Sequence, residues 1–436
     1  MLVAGLGASG VAAVRYLLSE GASVQVWDSA AAPPKLAEIR GEIPAANNLC
    51  GKKVGELQLD AYQTAVLSPG ISLDSELAVA LKSAKVEIIG DIELFARAAN
   101  DAGVPVIGIT GSNGKSTVTT LVGAMAKAAG LRVGVGGNLG PASLSLLQPD
   151  AQLYVLELSS FQLETTTSLR CKAATILNLS QDHLDRHVTM ENYGRIKAGI
   201  FNQCEHSIVN RDDAAVMALA PKNVTTFGID KPAAAQYGLL ETSQGLSLAR
   251  GDEVALPQSA LKIFGLHNAA NALAALALAD AAGIPRAASI SALAAFAGLP
   301  HRCEFVAEVA GVSYFNDSKG TNVGSTVAAI NGLPAPIVWL AGGQGKGQDF
   351  SELSEPLARK GRAAILFGED AARIESDIAG ALPVYREVDM FAALKRARGI
   401  AVSGDRVLLS PACASFDQFK SYVDRGEKFR AAVRAL

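Results

Sequence analysis

The sequence predicts an α/β protein built from repeated strand–helix units, and therefore from parallel sheets, in about three domains. Short apolar runs followed by a glycine-containing turn and a helix-period segment recur at 2–20, 104–129, 152–170 and 336–359, the pattern of βα units. Two of the glycine-rich turns carry phosphate-binding patterns between such a strand and such a helix. The chain is 436 residues long, 49% hydrophobic and 19% charged, enough for three buried cores at roughly 150 residues per domain.

In the first unit the strand Met1–Ala4 runs into Gly5-Leu6-Gly7-Ala8-Ser9-Gly10, a GxGxxG turn that opens a helix, and Asp28 ends the next strand, Val24–Trp27. Such glycines let a pyrophosphate approach the backbone at a helix N-terminus, and the acid can accept from a ribose hydroxyl. A dinucleotide, another nucleotide diphosphate and a ligand-free tight turn all fit this motif, and the rest of the sequence favours the second. With Leu2 already in a strand, a few residues are expected upstream of Met1.

A first boundary is expected near Gly90, ahead of a helix at Asp91–Asn100. A second is expected near Leu299–Pro300, after two alanine-rich helical stretches. The domains are thus 1–90, 91–299 and 300–436. Further strands are expected at Ala174–Leu179 and Arg406–Ser410, and the Gly- and Pro-punctuated alternation over 224–262 reads as β-rich decoration of the middle domain.

Charge excludes several functions. Lys+Arg 39 against Asp+Glu 42 gives a net charge of -3, with no basic excess to neutralise nucleic acid or an anionic membrane. Five isolated cysteines and no CxxC pair argue against a disulfide framework or a cysteine zinc site. The most apolar stretch, Ala269–Ala282, is interrupted by Asn271 and Asp280 and is too short to span a bilayer. Nothing near Met1 resembles a signal peptide. A cytoplasmic protein without membrane insertion is expected.

The strongest local signal begins at Val104. An apolar strand enters Gly108-Ile109-Thr110-Gly111-Ser112-Asn113-Gly114-Lys115-Ser116-Thr117, and a helix follows to about Gly130. Backbone N–H groups and the helix dipole hold phosphate, Lys115 adds a cation, and the Ser116 hydroxyl can reach magnesium. Ile109 stands where the general pattern has its first glycine, so this is a variant loop, and ATP is the expected ligand. Glu157 ends the strand Tyr154-Val155-Leu156, and ligands gather beyond the carboxyl ends of parallel strands, so it is a natural magnesium ligand or, more plainly, an exposed strand-end acid. Asp182 and His183 follow the next apolar run and fall at the same edge; His187 has no comparable case. Lys197, within a helical stretch at Glu191–Phe201, reads from spacing alone as a solvated surface lysine.

The ordered motifs resemble the Mur ligase family along nearly the whole chain. They run through Ser68-Pro69-Gly70, the loop ending Gly114-Lys115-Ser116, Gly137-Asn138-Leu139-Gly140, Glu157-Leu158-Ser159-Ser160-Phe161-Gln162 and Asp182-His183-Leu184-Asp185-Arg186-His187. They continue through His267-Asn268-Ala269-Ala270-Asn271, His301-Arg302, Asn316-Asp317-Ser318-Lys319-Gly320-Thr321-Asn322, Gly342-Gly343-Gln344-Gly345-Lys346 and Leu409-Ser410-Pro411-Ala412-Cys413-Ala414-Ser415. The run from Leu409 to Gln418 and the short first domain point to the D-glutamate-adding branch.

The resemblance implies a Rossmann-like N-terminal domain for a UDP-linked substrate, a central P-loop ATPase-type domain with a parallel sheet, and a Rossmann-like C-terminal domain for the amino acid. The implied reaction adds D-glutamate to UDP-N-acetylmuramoyl-L-alanine through an acyl-phosphate, with ATP and two Mg2+ ions, in a monomer. Asp28, Ser68, Gly70, Asn138 and Ser159 would serve the UDP-linked substrate. Gly111, Ser112, Asn113, Gly114, Lys115, Ser116 and Thr117 would hold ATP, with Asn271, Arg302 and Asp317 completing the nucleotide site. Lys319, Thr321, Lys346, Ser415 and Phe416 would receive D-glutamate. Family members carry a carbamylated lysine at the position of Lys197, which reverses the surface reading: Ser116, Glu157, His183 and Lys197 become the metal ligands, and Lys115, Glu157, His183 and Lys197 the catalytic set. Ala30 stands where some members have an arginine near the uracil. Phe416 and Tyr422 stand where related enzymes often have leucine and phenylalanine.

Three other readings compete. A folylpolyglutamate synthetase-like ligase predicts folate-dependent ADP release. A nicotinamide-dependent oxidoreductase leaves the GKS loop unexplained, and a non-catalytic nucleotide-binding regulator predicts no substrate-stimulated ATP hydrolysis.

Overall fold

The computed structural model describes residues 1–436, the Asp185 side chain excepted. Three sheets organise the chain. The first contains β1 (Leu2–Ala4), β2 (Gln25–Trp27), β3 (Thr64–Leu67) and β4 (Glu87–Gly90), in the order β2-β1-β3-β4 and parallel throughout. The second contains β5 (Val106–Thr110), β6 (Val133–Gly137), β7 (Leu153–Glu157), β8 (Cys171–Ile176), β9 (Cys204–Asn210), β10 (Val224–Phe227), β11 (Tyr237–Thr242), β12 (Gly245–Arg250) and β13 (Glu253–Pro257), in the order β13-β12-β11-β10-β9-β8-β5-β7-β6. The third contains β14 (Glu304–Val309), β15 (Val312–Asn316), β16 (Ile337–Gly342), β17 (Gly361–Phe367), β18 (Val384–Arg386) and β19 (Arg406–Leu409), in the order β14-β15-β19-β16-β17-β18. Only its β14–β15 pair is antiparallel.

Strand periodicity shows how these sheets are buried. In the third sheet Trp339, Ala341, Ala364, Leu366 and Leu408 enter one core, while Val338, Leu340, Ile365, Phe367, Val407 and Leu409 enter another. Successive side chains point to opposite faces, so both faces are covered, as crossover helices require of parallel strands. The first sheet divides in the same way: Val3, Val26, Val66 and Ile89 join one core, and Leu2, Ala4, Trp27, Ala65 and Leu67 another.

By compactness the chain forms two units. One comprises Met1–Leu240, Ala249–Ala255 and Ala272–Leu293; the other comprises Glu241–Leu248, Leu256–Asn271 and Ala294–Leu436. The first sheet and the strands from β5 to β10 lie within the first unit, and the third sheet lies within the second.

Two elements differ from expectation. The segment 152–170 forms its strand, but its helix is the single turn Ser160–Leu163. Ser159 and Gln162 make a capping box that starts it, and Thr165, Thr166 and Thr167 follow, β-branched residues that extend a helix poorly. The chain turns away as the Glu93 carboxylate accepts from the Thr167 and Ser168 amides at 2.7 and 3.0 Å. The strand expected at Ala174–Leu179 runs instead from Cys171 to Ile176. Asn178 has left the ladder, and its carbonyl accepts from the Ser112 amide of the phosphate loop at 2.9 Å.

Candidate active site

The first glycine turn is closed by its own neighbours. Gly10 packs so tightly that a Cβ there would fall 1.9 Å from the Gly5 carbonyl oxygen, which is why no larger residue fits. The Ser68 hydroxyl donates to that same carbonyl at 2.7 Å. The Asp28 carboxylate accepts from the Leu6 amide at 2.8 Å and the Ala30 amide at 3.0 Å, so it organises the turn. Ser68 is half-buried and Gly70 exposed at the carboxyl end of β3.

In the second sheet β5 lies between β8 and β7, so the loop leaving β5 at Thr110 is flanked by the ends of both. The helix Lys115–Ala128 begins directly after Gly114, and its N-terminus and the preceding amides form an anion cradle. Neighbouring segments hold the loop. The Asn178 carboxamide accepts from the Asn113 amide at 2.8 Å and donates to the Asn113 carbonyl at 3.0 Å. The Ser112 hydroxyl donates to the Ser180 carbonyl at 3.0 Å and lies 3.2 Å from the Tyr193 hydroxyl. The Lys115 amine donates to the Gly111 and Ser112 carbonyls, both at 2.8 Å.

Glu157, the last residue of β7, is 2% exposed, not the solvated strand-end acid that spacing alone allows. Its carboxylate accepts from the Ser116 hydroxyl at 2.5 Å and the Asn138 amide at 2.6 Å. Gly137 makes that second contact possible. Its φ is +92°, and a Cβ there would lie 2.4 Å from the Glu157 carbonyl oxygen, so only glycine brings Asn138 so close. A hydroxyl beside a carboxylate is the hard-oxygen donor set that magnesium prefers. Among the described residues no group of three or more His, Cys, Asp or Glu could hold a metal ion.

Lys197 is 1% exposed, which overturns the surface reading that spacing gave. Its amine donates to the Thr110 hydroxyl at 3.2 Å and the Gly111 carbonyl at 3.0 Å, and lies 4.6 Å from the centre of the Tyr193 ring. Burial, reinforced by the nearby Lys115 charge, pushes its pKa well below the ordinary lysine range. His183 lies seven residues beyond the end of β8, exposed, at φ +53° and edge-on to Phe161 at 4.9 Å.

Sequence reasoning gave no role to His187, Tyr193 or Asn178. His187 is fully buried, its Nε2 2.8 Å from the Ser160 hydroxyl and its ring stacked on Phe161 at 5.3 Å. Burial pushes its pKa down. Asn178 alone carried a readable signal, a carboxamide just past the end of a strand beside the phosphate loop.

The second unit carries Asp317, Lys319, Thr321, Lys346, Ser415 and Phe416 on the loops after β15, β16 and β19, with Asn271 in the helix Leu266–Ala281 and Arg302 just before β14. Asp317 is 7% exposed. It accepts from the Ser410 hydroxyl at 2.7 Å and the Cys303 amide at 3.1 Å, and burial raises its pKa to about 7. Fully buried Arg425 donates to the Ser318 hydroxyl at 3.0 Å and carbonyl at 2.9 Å, and to the Cys413 carbonyl at 3.1 Å. It thus fixes the Asp317–Thr321 segment against the turn leading to Ser415. The Lys319 amine lies 4.0 Å from the centre of the Tyr422 ring. Ser415 is buried, Phe416 is 67% exposed, Lys346 is exposed, and Arg302 and Thr321 are half-buried. The Asn271 amide donates to the Asn268 side chain at 3.1 Å.

Family models match three consecutive stretches. Residues 1–90 match the Mur ligase MurD-like N-terminal domain, 109–279 the Mur ligase middle domain, and 301–413 the Mur ligase glutamate ligase domain. The chain is a Mur ligase. Its relatives include the UDP-N-acetylmuramoylalanine–D-glutamate ligases of Nitrosococcus oceani and Pseudomonas aeruginosa. Each is 48% identical over 100% of this Mur ligase, covering 96% and 98% of the relative's length. A pseudomurein peptide ligase type C from Methanothermus fervidus shares its fold at TM-score 0.62 and 18% identity, over 100% of this chain and 99% of that one. ATP-dependent ligation is the chemistry of this family. No described helix is long and apolar enough to cross a membrane.

Proposed function

We propose that this Mur ligase adds D-glutamate to UDP-N-acetylmuramoyl-L-alanine, consuming ATP through an acyl-phosphate, in the cytoplasmic synthesis of peptidoglycan precursors. One observation carries the reading. Lys115, Ser116 and Glu157 gather at the carboxyl edge of β5 and β7, in a chain almost half identical, end to end, to ligases named for that reaction.

The chemistry needs these parts. A carboxylate is a poor electrophile, and its attack on ATP brings two anions together. The Lys115 ammonium and the amides from Gly111 to Thr117 offset that repulsion and the charge developing on the transferred phosphoryl group. Once the phosphoryl group sits on the substrate acid, the D-glutamate amine attacks the acyl carbon and phosphate leaves, forming the amide.

Two Mg2+ ions, when bound, neutralise phosphate charge; Ser116 and Glu157 would hold one, and His183 with Lys197 the other. A lysine amine cannot ligate that ion well, but its carbamate can. Burial lowers the Lys197 pKa well below the ordinary lysine range and so favours the neutral amine, whose lone pair can add to CO2 with loss of a proton, giving an anionic oxygen ligand.

We assign Asp28, Ser68, Gly70, Asn138 and Ser159 to the UDP-linked substrate, and Asn271, Arg302 and Asp317 to the nucleotide. Lys319, Thr321, Lys346, Ser415 and Phe416 are assigned to D-glutamate, with domains at 1–90, 91–299 and 300–436 in a monomer. Phosphate release with ATP, magnesium and the UDP-linked substrate tests the reading. D-glutamate should stimulate release, and L-glutamate should leave it near background. Equal stimulation by both enantiomers, or by neither, would reject it.

A further inference from the structure

Arg186 has no part in the proposed chemistry, yet it joins three segments that do. Its guanidinium donates through Nη2 to the Glu164 carboxylate at 2.6 Å and to the Ile71 carbonyl at 3.3 Å, and lies 5.3 Å from the centre of the Phe161 ring. Both ends of the ion pair are largely shielded, with side-chain exposures of 17% for Arg186 and 12% for Glu164. Ile71 directly follows Ser68-Pro69-Gly70, the turn assigned to the UDP-linked substrate. Phe161 and Glu164 lie in and beside the single helical turn that follows Glu157 and Ser159. Arg186 itself comes three residues after His183, and the same Phe161 ring meets His183 edge-on at 4.9 Å and stacks on His187 at 5.3 Å.

We propose that Arg186 is a positioning residue that fastens the substrate turn after β3 to the segments carrying Glu157 and His183. The guanidinium suits the task, because one planar fork serves a carboxylate, a carbonyl and an aromatic face together. A lysine presents a compact point charge and cannot cover all three. The link is local: Gly90, at the end of β4, also fits closely here, where a Cβ would lie 2.3 Å from the Thr165 hydroxyl, so β4 meets the segment that follows Ser160–Leu163 without slack. Without Arg186 the turn still forms, since Ser68 and Gly5 hold it from the other side, but it loses its register to the phosphate loop.

The kinetic consequence rests on the proposed function; the structural one does not. Arg186→Ala and Arg186→Lys should be compared with the unaltered protein in two experiments. By amide hydrogen exchange, Arg186→Ala should speed exchange across 69–73 and leave 106–118 unchanged. In steady-state kinetics it should raise KM for the UDP-linked substrate roughly tenfold, the scale of one lost charge-assisted hydrogen bond, with KM for ATP held within about twofold. Arg186→Lys should recover only part of that loss. Unchanged exchange at 69–73, an equal rise in both KM values, or full recovery with lysine would overturn the proposal. If the unaltered protein shows no D-glutamate-dependent turnover, the proposed function fails, and the exchange pattern still decides the role of Arg186.

Discussion

Lys115 and Lys197 aim their amines at one acceptor, the Gly111 carbonyl, at 2.8 and 3.0 Å. Two ammonium groups so close repel, and the buried one, Lys197, gives up its proton more readily. That difference fits the proposed roles, Lys115 as the cation at the phosphate and Lys197 as the modifiable amine. Lys115→Ala should lower turnover by at least about a hundredfold while calorimetry shows binding of the UDP-linked substrate intact. Lys197→Ala should fall comparably and recover partly with short-chain carboxylates, read as phosphate release; full activity without rescue would refute the carbamate. Asp317 gives a pH signature. Its carboxyl titrates near 7 in the folded chain and near 3.9 when unfolded. Between those values the folded state holds the extra proton, so this group's contribution to stability falls as pH rises through the window. Asp317→Asn, which cannot titrate, should therefore gain in melting temperature relative to the unaltered protein between pH 5 and pH 8. A constant difference across that range would contradict the assignment.

At the scale of elements, glycine contacts make sharp predictions. A Cβ at position 10 meets a carbonyl oxygen at 1.9 Å, so Gly10→Ala must push the first helix from its turn. A loss of about 1–3 kcal/mol is expected, measured by denaturant unfolding, together with a raised KM for the UDP-linked substrate. The phosphate loop was legible in the sequence because its chemistry is local: strand, glycines, lysine and helix lie within one stretch. Glu157 was legible as a strand-end acid near that loop. Lys197 was not, because its burial depends on Tyr193 and on a loop more than 80 residues away, and periodicity does not report which face of a helix meets a distant loop. His187 was silent for the same reason, its partners Ser160 and Phe161 belonging to another motif. The short helix at Ser160–Leu163 was over-read because an amphipathic pattern continued where three threonines and the Glu93 carboxylate redirect the backbone.

At the scale of the whole chain, recurring βα periodicity gave the class and the parallel sheets, and the order of motifs gave the family. What periodicity did not give was strand order. The placement of β5 between β8 and β7 arises from crossover connections, and that placement brings the ends of all three strands around the phosphate loop. The account rests on transfer of the terminal phosphoryl group to a substrate carboxylate. Labelling that carboxylate with oxygen-18 tests this directly. After one turnover with ATP and D-glutamate, the released phosphate should carry one labelled oxygen, left by cleavage of the acyl-phosphate. Unlabelled phosphate accompanying full amide formation would contradict the account.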